Sequence, residues 1–599
     1  MKKNFLLLSV ALCTAGAASA QLQAGDPGHL EKLCREGVTA NVSANERDYA
    51  EKNMAVAGSD EKGWKVFFCA DDGIHGEELW ASDGTQAGTY MVKDIYPGAS
   101  TSNITWITRF NDKVIFSAQD PDYGQEMWIS DGTEEGTHVV YDANELGDSN
   151  PRALCQLNET QFVFFAQPVD AETYGEWWLY VSDGTEEGTS LVKEVASLFP
   201  GREPGDNRTG DVVRVGRKVF FIGDTSKFFE GEKTYGDELW MTDGTPEGTK
   251  MVMDINKEKD PVVDSEGNPT GKVEGSTRGA AIAHFCNFYN EKLFFKAWSW
   301  ESGNEPWAYD LETGECYEIY NTNPTNNPNT VDENGVPIGN GGGVTKTGYP
   351  SFGYMFFRSY TPETGNELGM TNCEKGNYQI FDIDTYAPTQ DSSSFPDEGC
   401  EFSKTYVFCA NTGTRGGVEE PVQNGGELLA CDGEKTWMVY DFNPGTGCCW
   451  VRTPQVIGGT LYYPQNGNRN NHTASLIRLD KIDGVPVEVT NIDPANDGVT
   501  MLRNLNGKCI FYSQKTKTPY CYTYKNPDAD MALNPDRMEI AFDSTNPLHQ
   551  GGIEGVIAGD SDSNAPVEYF NIQGMRVDAN TPGLYIRRQG SKTQKIVIK

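Results

Sequence analysis

Residues 76–89 read GEELWASDGTQAGT, and the chain returns to that phrase three more times. The copies are GQEMWISDGTEEGT at 124–137, EWWLYVSDGTEEGT at 176–189 and GDELWMTDGTPEGT at 236–249. The turn aspartates Asp83, Asp131, Asp183 and Asp243 stand 48, 52 and 60 residues apart, and an acidic residue follows each by eleven positions: Asp94, Asp142, Glu194, Asp254. Four copies with a fixed internal offset define a repeat, and a repeat of this length sets the architecture before any single residue is interpreted.

Working outward, weaker copies continue the series. GNEPWAYD at 303–310 keeps Glu305, Trp307 and Asp310, GNELGMTN at 365–372 keeps Glu367, and GGELLACDG at 425–433 keeps Glu427 and Asp432. SLIRLD ends at Asp480, and LRNLNGKCIFYSQ with YCYTYK at 502–525 looks like part of a ninth unit. Within each unit, runs such as WKVFFCA (64–70), KVIFSA (113–118) and KLFFKA (292–297) are aromatic and β-branched, as strands are. Asp-Gly after the ELW strand supplies the positive φ of a tight hairpin. Four short strands per unit, with no helical period, predict a β-propeller of about eight blades over 47–525, seven or nine being the neighbouring counts. A single four-stranded sheet cannot bury both faces, whereas blades around an axis bury each other's. A β-solenoid is the second choice, although its coils are usually shorter. Trp80, Trp128 and Trp240 are expected between blades, and Asp83, Asp131, Asp183 and Asp243 in the turns.

The copies at 76–89, 124–137 and 236–249 resemble the ELWxxDGT repeat family, extracellular bacterial proteins defined by that motif. The resemblance implies an architecture and an address, and brings no catalytic motif with it.

Composition bounds the function. The 599 residues carry 49 Lys and Arg against 87 Asp and Glu, a formal charge of −38. Such a surface repels phosphates, so no nucleic-acid partner is expected. Residues 1–20 have Lys2 and Lys3, an apolar stretch and the small-residue exit Ala18-Ser19-Ala20, the pattern of a signal peptide cleaved before Gln21. No stretch is long enough for a transmembrane helix. Removing Cys13 with the signal leaves thirteen cysteines, an odd number, with no CxxC pair; they are expected to be mainly small core residues, joined by a few disulfides at most.

The tail reverses the charge. From 566 to 599 six basic residues (Arg576, Arg587, Arg588, Lys592, Lys595, Lys599) face two acidic ones (Glu568, Asp578). YFNIQGMRV, PGLYI at 582–586 and the terminal KIVIK resemble the C-terminal sorting domain of the type IX secretion system, a small β-sandwich. That resemblance implies the type IX export machinery as partner and a secreted or outer-membrane surface-attached location. The expected organisation is therefore signal 1–20, lead-in 21–46, propeller 47–525, linker 526–565 and sorting domain 566–599.

Catalytic motifs are missing. The six histidines, His29, His75, His138, His284, His472 and His549, belong to no HExxH, and there is no GxSxG elbow or P-loop. No cofactor is expected. Structural calcium has only the loops around Asp71-Asp72 and Asp260, Asp264 and Glu266 to offer, and neither has EF-hand spacing. The repeated Glu78, Glu126, Glu238, Glu305, Glu367 and Glu427 are expected to cap backbone groups at a strand entry. Trp298, Trp300 and Trp307 in KAWSWESGNEPW are candidate glycan-stacking residues, with core packing as the alternative. The expectation is a non-catalytic binding or scaffold protein for glycan or protein ligands. The rival is a propeller hydrolase or lyase acting on extracellular polysaccharide, with carboxylates converging at the central opening.

Overall fold

The computed structural model describes residues 28–42, residues 54–529 with internal gaps, and three strands of the tail. The longest gaps are 169–176, 198–211, 225–236, 324–342, 384–392, 412–425, 441–450, 467–473 and 490–497. The expected signal peptide at 1–20 and nearly all of the expected 526–565 linker lie outside the described residues. Every element among the described residues is a strand, and the chain is an all-β propeller of nine four-stranded blades.

Blade 1 is typical. Gly63–Asp71 and Glu77–Ser82 form its middle, Thr89–Lys93 its outer edge, and Thr39–Ala40 with Ala55–Ser59 share the inner position. Blades 2 to 8 begin at Thr105, Arg152, Val213, Ala283, Val344, Gly399 and Gln455, each an antiparallel meander in chain order. First strands approach first strands from blade to blade, and Val499–Leu505 of the last blade returns to Ala55–Ser59 of the first. In blades 2, 3, 5 and 9 this inner strand bulges at Trp106, Ala153, His284 and Met501, all at positive φ. A bulge bends the strand and sharpens its twist.

The blades number nine, the upper of the expected counts. The fragment at 502–525 forms a blade of its own, Val499–Leu505, Lys508–Ser513 and Thr518–Thr523. Its fourth strand is His29–Lys32, from the segment expected to be a lead-in, with Leu30 opposite Tyr522 and Glu31 opposite Cys521. Sequence periodicity misses this because the fourth strand is supplied from the other end of the chain.

Nine blades give nine interfaces, and the buried apolar residues divide into nine clusters, one per interface. The motif aromatic always packs on the preceding blade. Trp80 joins Met501 and Tyr512 of blade 9, Trp128 joins Phe67 and Leu79 of blade 1, and Trp240 joins Phe165 of blade 3. Tyr180 fills the same place against blade 2, and Trp307 against blade 4. The lysine of VKDI adds a polar latch. Lys93 Nζ donates to the Thr137 carbonyl at 2.8 Å and sits 5.8 Å from the centre of the Trp128 ring. Lys193 repeats both contacts with Thr249 and Trp240.

The DGT turn is a local hydrogen-bonded device. Asp83 Oδ1 accepts from the Thr85 amide at 2.9 Å and the Thr85 hydroxyl at 2.7 Å, while Thr85 Oγ1 accepts from Gly88 N. The same three bonds recur at Asp131, Asp183 and Asp243. A Cβ on Gly88, Gly136, Gly188 or Gly248 would fall 1.9–2.2 Å from the aspartate oxygen, which explains the invariant second glycine of the repeat.

In the tail, Val567–Phe570, Gly583–Gln589 and Lys592–Ile598 form a three-stranded antiparallel sheet. Among the described residues no helix is long and apolar enough to cross a membrane.

Candidate functional site

The motif glutamates are anchors of the blade-to-blade connections. Glu78 is buried and accepts from Ile95 N at 3.0 Å and Tyr96 N at 3.2 Å, fixing the chain as it leaves blade 1. Glu126 accepts from Ala143 N, Ser149 N and the Ser149 hydroxyl. Glu305 does the same with Thr322 and Asn323, and Glu367 with Ile383 and Ser394. Burial pushes these carboxyls up against the pull of their hydrogen bonds, Glu78 and Glu367 to about 7 and Glu126 and Glu305 to about 8. Glu238 and Glu427 occupy the same buried position. Blade 3 carries Trp178 there instead.

Each ELW strand has its glutamate at one end and its turn aspartate at the other. The glutamate ends share a face of the propeller with the connections between blades. On that face, over blades 1 and 2, a cleft of about 570 Å³ opens to solvent. It is lined by Asp71, Gly76, Glu77, Tyr96, Ala99, Ser100, Thr101, Asn103 and Gln119.

Its walls are held by backbone geometry. Ser102 donates from its amide and hydroxyl to the Glu77 carbonyl, at 3.0 and 2.9 Å. A Cβ on Gly76 would lie 2.1 Å from the Ser100 carbonyl oxygen, and Gly76 has φ +71, so only glycine allows the two loops to close up. Asn103, at φ +46, donates to Gln119 Oε1 at 2.6 Å, and Asn41 Nδ2 donates to Glu77 Oε2 at 2.5 Å. Beside the cleft, Asp72 accepts from Ile74 N and His75 N and pins the His75 ring at 3.0 Å, which raises the imidazole pKa.

The described lining residues therefore offer two carboxylates, two amides, two hydroxyls and a phenol. That set binds hydroxyl and N–H donors. No nucleophile–base pair lies among the described lining residues.

The sequence candidates fall elsewhere. Trp298 and Trp307 are buried, 7% and 8% exposed, Trp307 inside the interface with blade 4; neither ring has an open face for a sugar to stack on. Both faces of a blade are covered by neighbours, so sharing one face of a strand does not mean exposure. Trp300 lies outside the described residues. Asp71 and Asp72 cap their own loop, Asp71 accepting from Gly73 N at 2.7 Å, and Asp264 and Glu266 lie outside the described residues. Among the described residues no three His, Cys, Asp or Glu side chains gather as a metal site. Eleven cysteines are described, ten of them buried.

No family model and no curated protein matches the chain. Solved structures with some likeness are a Mycobacterium tuberculosis puromycin-hydrolyzing peptidase (10% identity, 60% of this chain and 49% of that one, TM-score 0.31) and prolyl oligopeptidase B from Galerina marginata (12%, 80% and 56%, 0.34). The β-propeller domain of the Trilobed protease from Pyrococcus furiosus, described as having an open velcro topology, is a third (12%, 66% and 99%, 0.27). This chain spans about half the length of the first two. At these scores the likeness carries no argument, and the fold rests on the nine closed interfaces.

Proposed function

We propose that the protein is an exported, non-catalytic binding propeller whose cleft over blades 1 and 2 takes a glycan. The observation that carries this reading is the lining itself, an open depression of carboxylates, amides, hydroxyls and one tyrosine, suited to a polyhydroxylated ligand. Among the described residues, Glu78, Glu126, Glu305 and Glu367 serve as caps, whereas the cleft sets several polar groups together facing solvent. In this reading the signal peptide and the sorting-like tail place the protein outside the cell or on the outer-membrane surface.

A glycan array followed by a reducing-sugar assay tests the binding. Asn103→Ala with Gln119→Ala is expected to weaken the best hit at least tenfold, shift the melting midpoint by only a few degrees, and release no reducing ends. Turnover that disappears in Asp71→Asn or Glu77→Gln would instead make the protein a polysaccharide hydrolase or lyase. For the address, residues 526–599 fused to a neutral secreted reporter should carry it outside cells that possess type IX secretion. Retention in the periplasm would refute the sorting role.

A further inference from the structure

We propose that the cleft is one part of a longer path, and that Tyr123 carries the apolar face of the next sugar of an oligosaccharide leaving it. The proposal rests on the glycan-binding reading above and adds the length of the ligand and the residue that reads it.

Two hairpins flank the cleft. Blade 1 lends it Asp71 and Glu77, opposed at the end of the hairpin Gly63–Asp71 and Glu77–Ser82. Blade 2 lends Gln119, from the hairpin Lys113–Asp120 and Gly124–Ser130. Each hairpin tip presents an exposed apolar side chain, Ile74 at 66% and Tyr123 at 44%. The tips are built alike. Asp72 Oδ1 accepts from Ile74 N and His75 N, both at 3.0 Å, and Asp120 Oδ1 accepts from Asp122 N at 3.1 Å and Tyr123 N at 2.7 Å. Behind Tyr123, Gly124 has φ +80, and a Cβ there would lie 2.7 Å from Asp148 Oδ1, which also accepts from Gln125 N at 2.8 Å. The second hairpin is thus tied to its own strand and to the connection into blade 3, so its tip is in place before a ligand arrives. A tyrosine on such a fixed turn gives up little freedom on contact.

Position links this tip to the cleft. Gln119 lines the cleft and pairs with Gln125, the next pair is Asp120 with Gly124, and Tyr123 precedes Gly124 directly. At about 3.4 Å of rise per residue, the tip lies roughly 7 Å past Gln119. A cleft of about 570 Å³ has the size of a pocket for one small molecule, so a longer glycan has to leave it. Over the rim at Tyr123 the chain meets an aromatic surface, and a sugar that turns its hydroxyl edge to polar groups has an apolar ring face to lay on one. Further round the same face, the connection from blade 2 to blade 3 carries Leu146, 85% exposed, so apolar surface recurs beyond the tip.

The test is calorimetry on the full chain with β-1,4-glucose, β-1,4-mannose and α-1,4-glucose oligomers, each as a dimer and as a hexamer. At least one hexamer is expected to bind about tenfold tighter than its dimer, with a more negative heat-capacity change from the added apolar contact. Tyr123→Ala should bring that ratio below about twofold and remove the heat-capacity difference, while Tyr123→Phe keeps both. Thermal melts should show an unchanged midpoint in either variant, since the side chain is exposed. Equal affinity for dimers and hexamers, a gain that survives Tyr123→Ala, or a gain lost equally in Tyr123→Phe would overturn the extended path and leave the cleft as a glycan site. If none of the six oligomers binds, the glycan reading falls and this inference falls with it.

Discussion

Blade 2 and blade 7 build the same four-stranded sheet with different amounts of the repeat. Blade 2 has Glu126, Trp128, Asp131, Gly132, Thr133, Gly136 and Thr137. Blade 7 keeps Glu427, Asp432 and Gly433, puts Leu429 in the place of the tryptophan and drops the rest. Leu429 is nevertheless buried against blade 6, as Trp128 is against blade 1. Asp432 still accepts two amides, from Glu434 and Lys435 at 2.9 Å each, and Gly433 has φ +89 beside +85 for Gly132. The threonine bonds of the turn are thus dispensable. Blades 2 and 7 share a large apolar side chain facing the previous blade, a buried glutamate at one end of the strand, an amide-accepting aspartate at the other, and one glycine at positive φ.

The widest separation should come from the interface. Trp128→Ala is expected to destabilise by about 3–5 kcal/mol and Leu429→Ala by about 2–5 kcal/mol, read by urea unfolding. A loss below about 1 kcal/mol at either site would break the equivalence of the two positions.

Next come the buried glutamates. Glu126→Ala strands the amides of Ala143 and Ser149 and should lower stability by about 2–4 kcal/mol. The same carboxyl predicts a pH dependence. Its folded pKa of about 8 lies above the unfolded value, so the folded state holds the proton more tightly and stability falls as pH rises from about 4.5 towards 8. Burial is the main cause, with Asp142 adding to it. Glu78, Glu305 and Glu367 act in the same direction. Glu126→Gln should flatten this slope in a series of melts, and an unchanged slope would remove Glu126 as its source.

The smallest difference is expected in the turns. Asp131→Ala removes bonds to the Thr133 amide and hydroxyl and should lower stability by about 1–2 kcal/mol, while Asp432→Ala, which frees two exposed amides, should lower it by about 0.5–1 kcal/mol. Equal losses would show that the threonine hydroxyl adds nothing.

These contrasts also mark what the sequence can disclose. The propeller is readable because hydrophobic strands recur in phase throughout, and in the first four units Asp-Gly turns and a large aromatic mark that phase. The closing strand of the ninth blade is not, since His29–Lys32 resembles no other outer strand and its partner lies at the far end of the chain. The cleft is hidden for a related reason. Asp71 and Glu77 meet through register, while Asn103 and Gln119 come from the next blade, and no spacing rule joins the four. Trp298 and Trp307 leave packing and stacking undivided in sequence, because an aromatic-rich strand reads the same whether its neighbour is a ligand or another blade.

The closing strand has a consequence for how the molecule is made. Cys34 N reaches the Thr518 hydroxyl across 484 residues of chain, so the N-terminal strand of blade 9 must wait for the far end of the propeller before it finds its place. Within each blade contacts are local and quick to form, whereas ring closure has to gather both ends of the domain. Until it does, the assembly is an open fan whose first and last blades present uncovered apolar faces. A product that stops short of residue 523 would therefore be prone to aggregation however many blades it contains. Once the ring is shut, both ends of the propeller leave from the same blade. A permuted chain that joins them and opens between two other blades should fold with a different closing step.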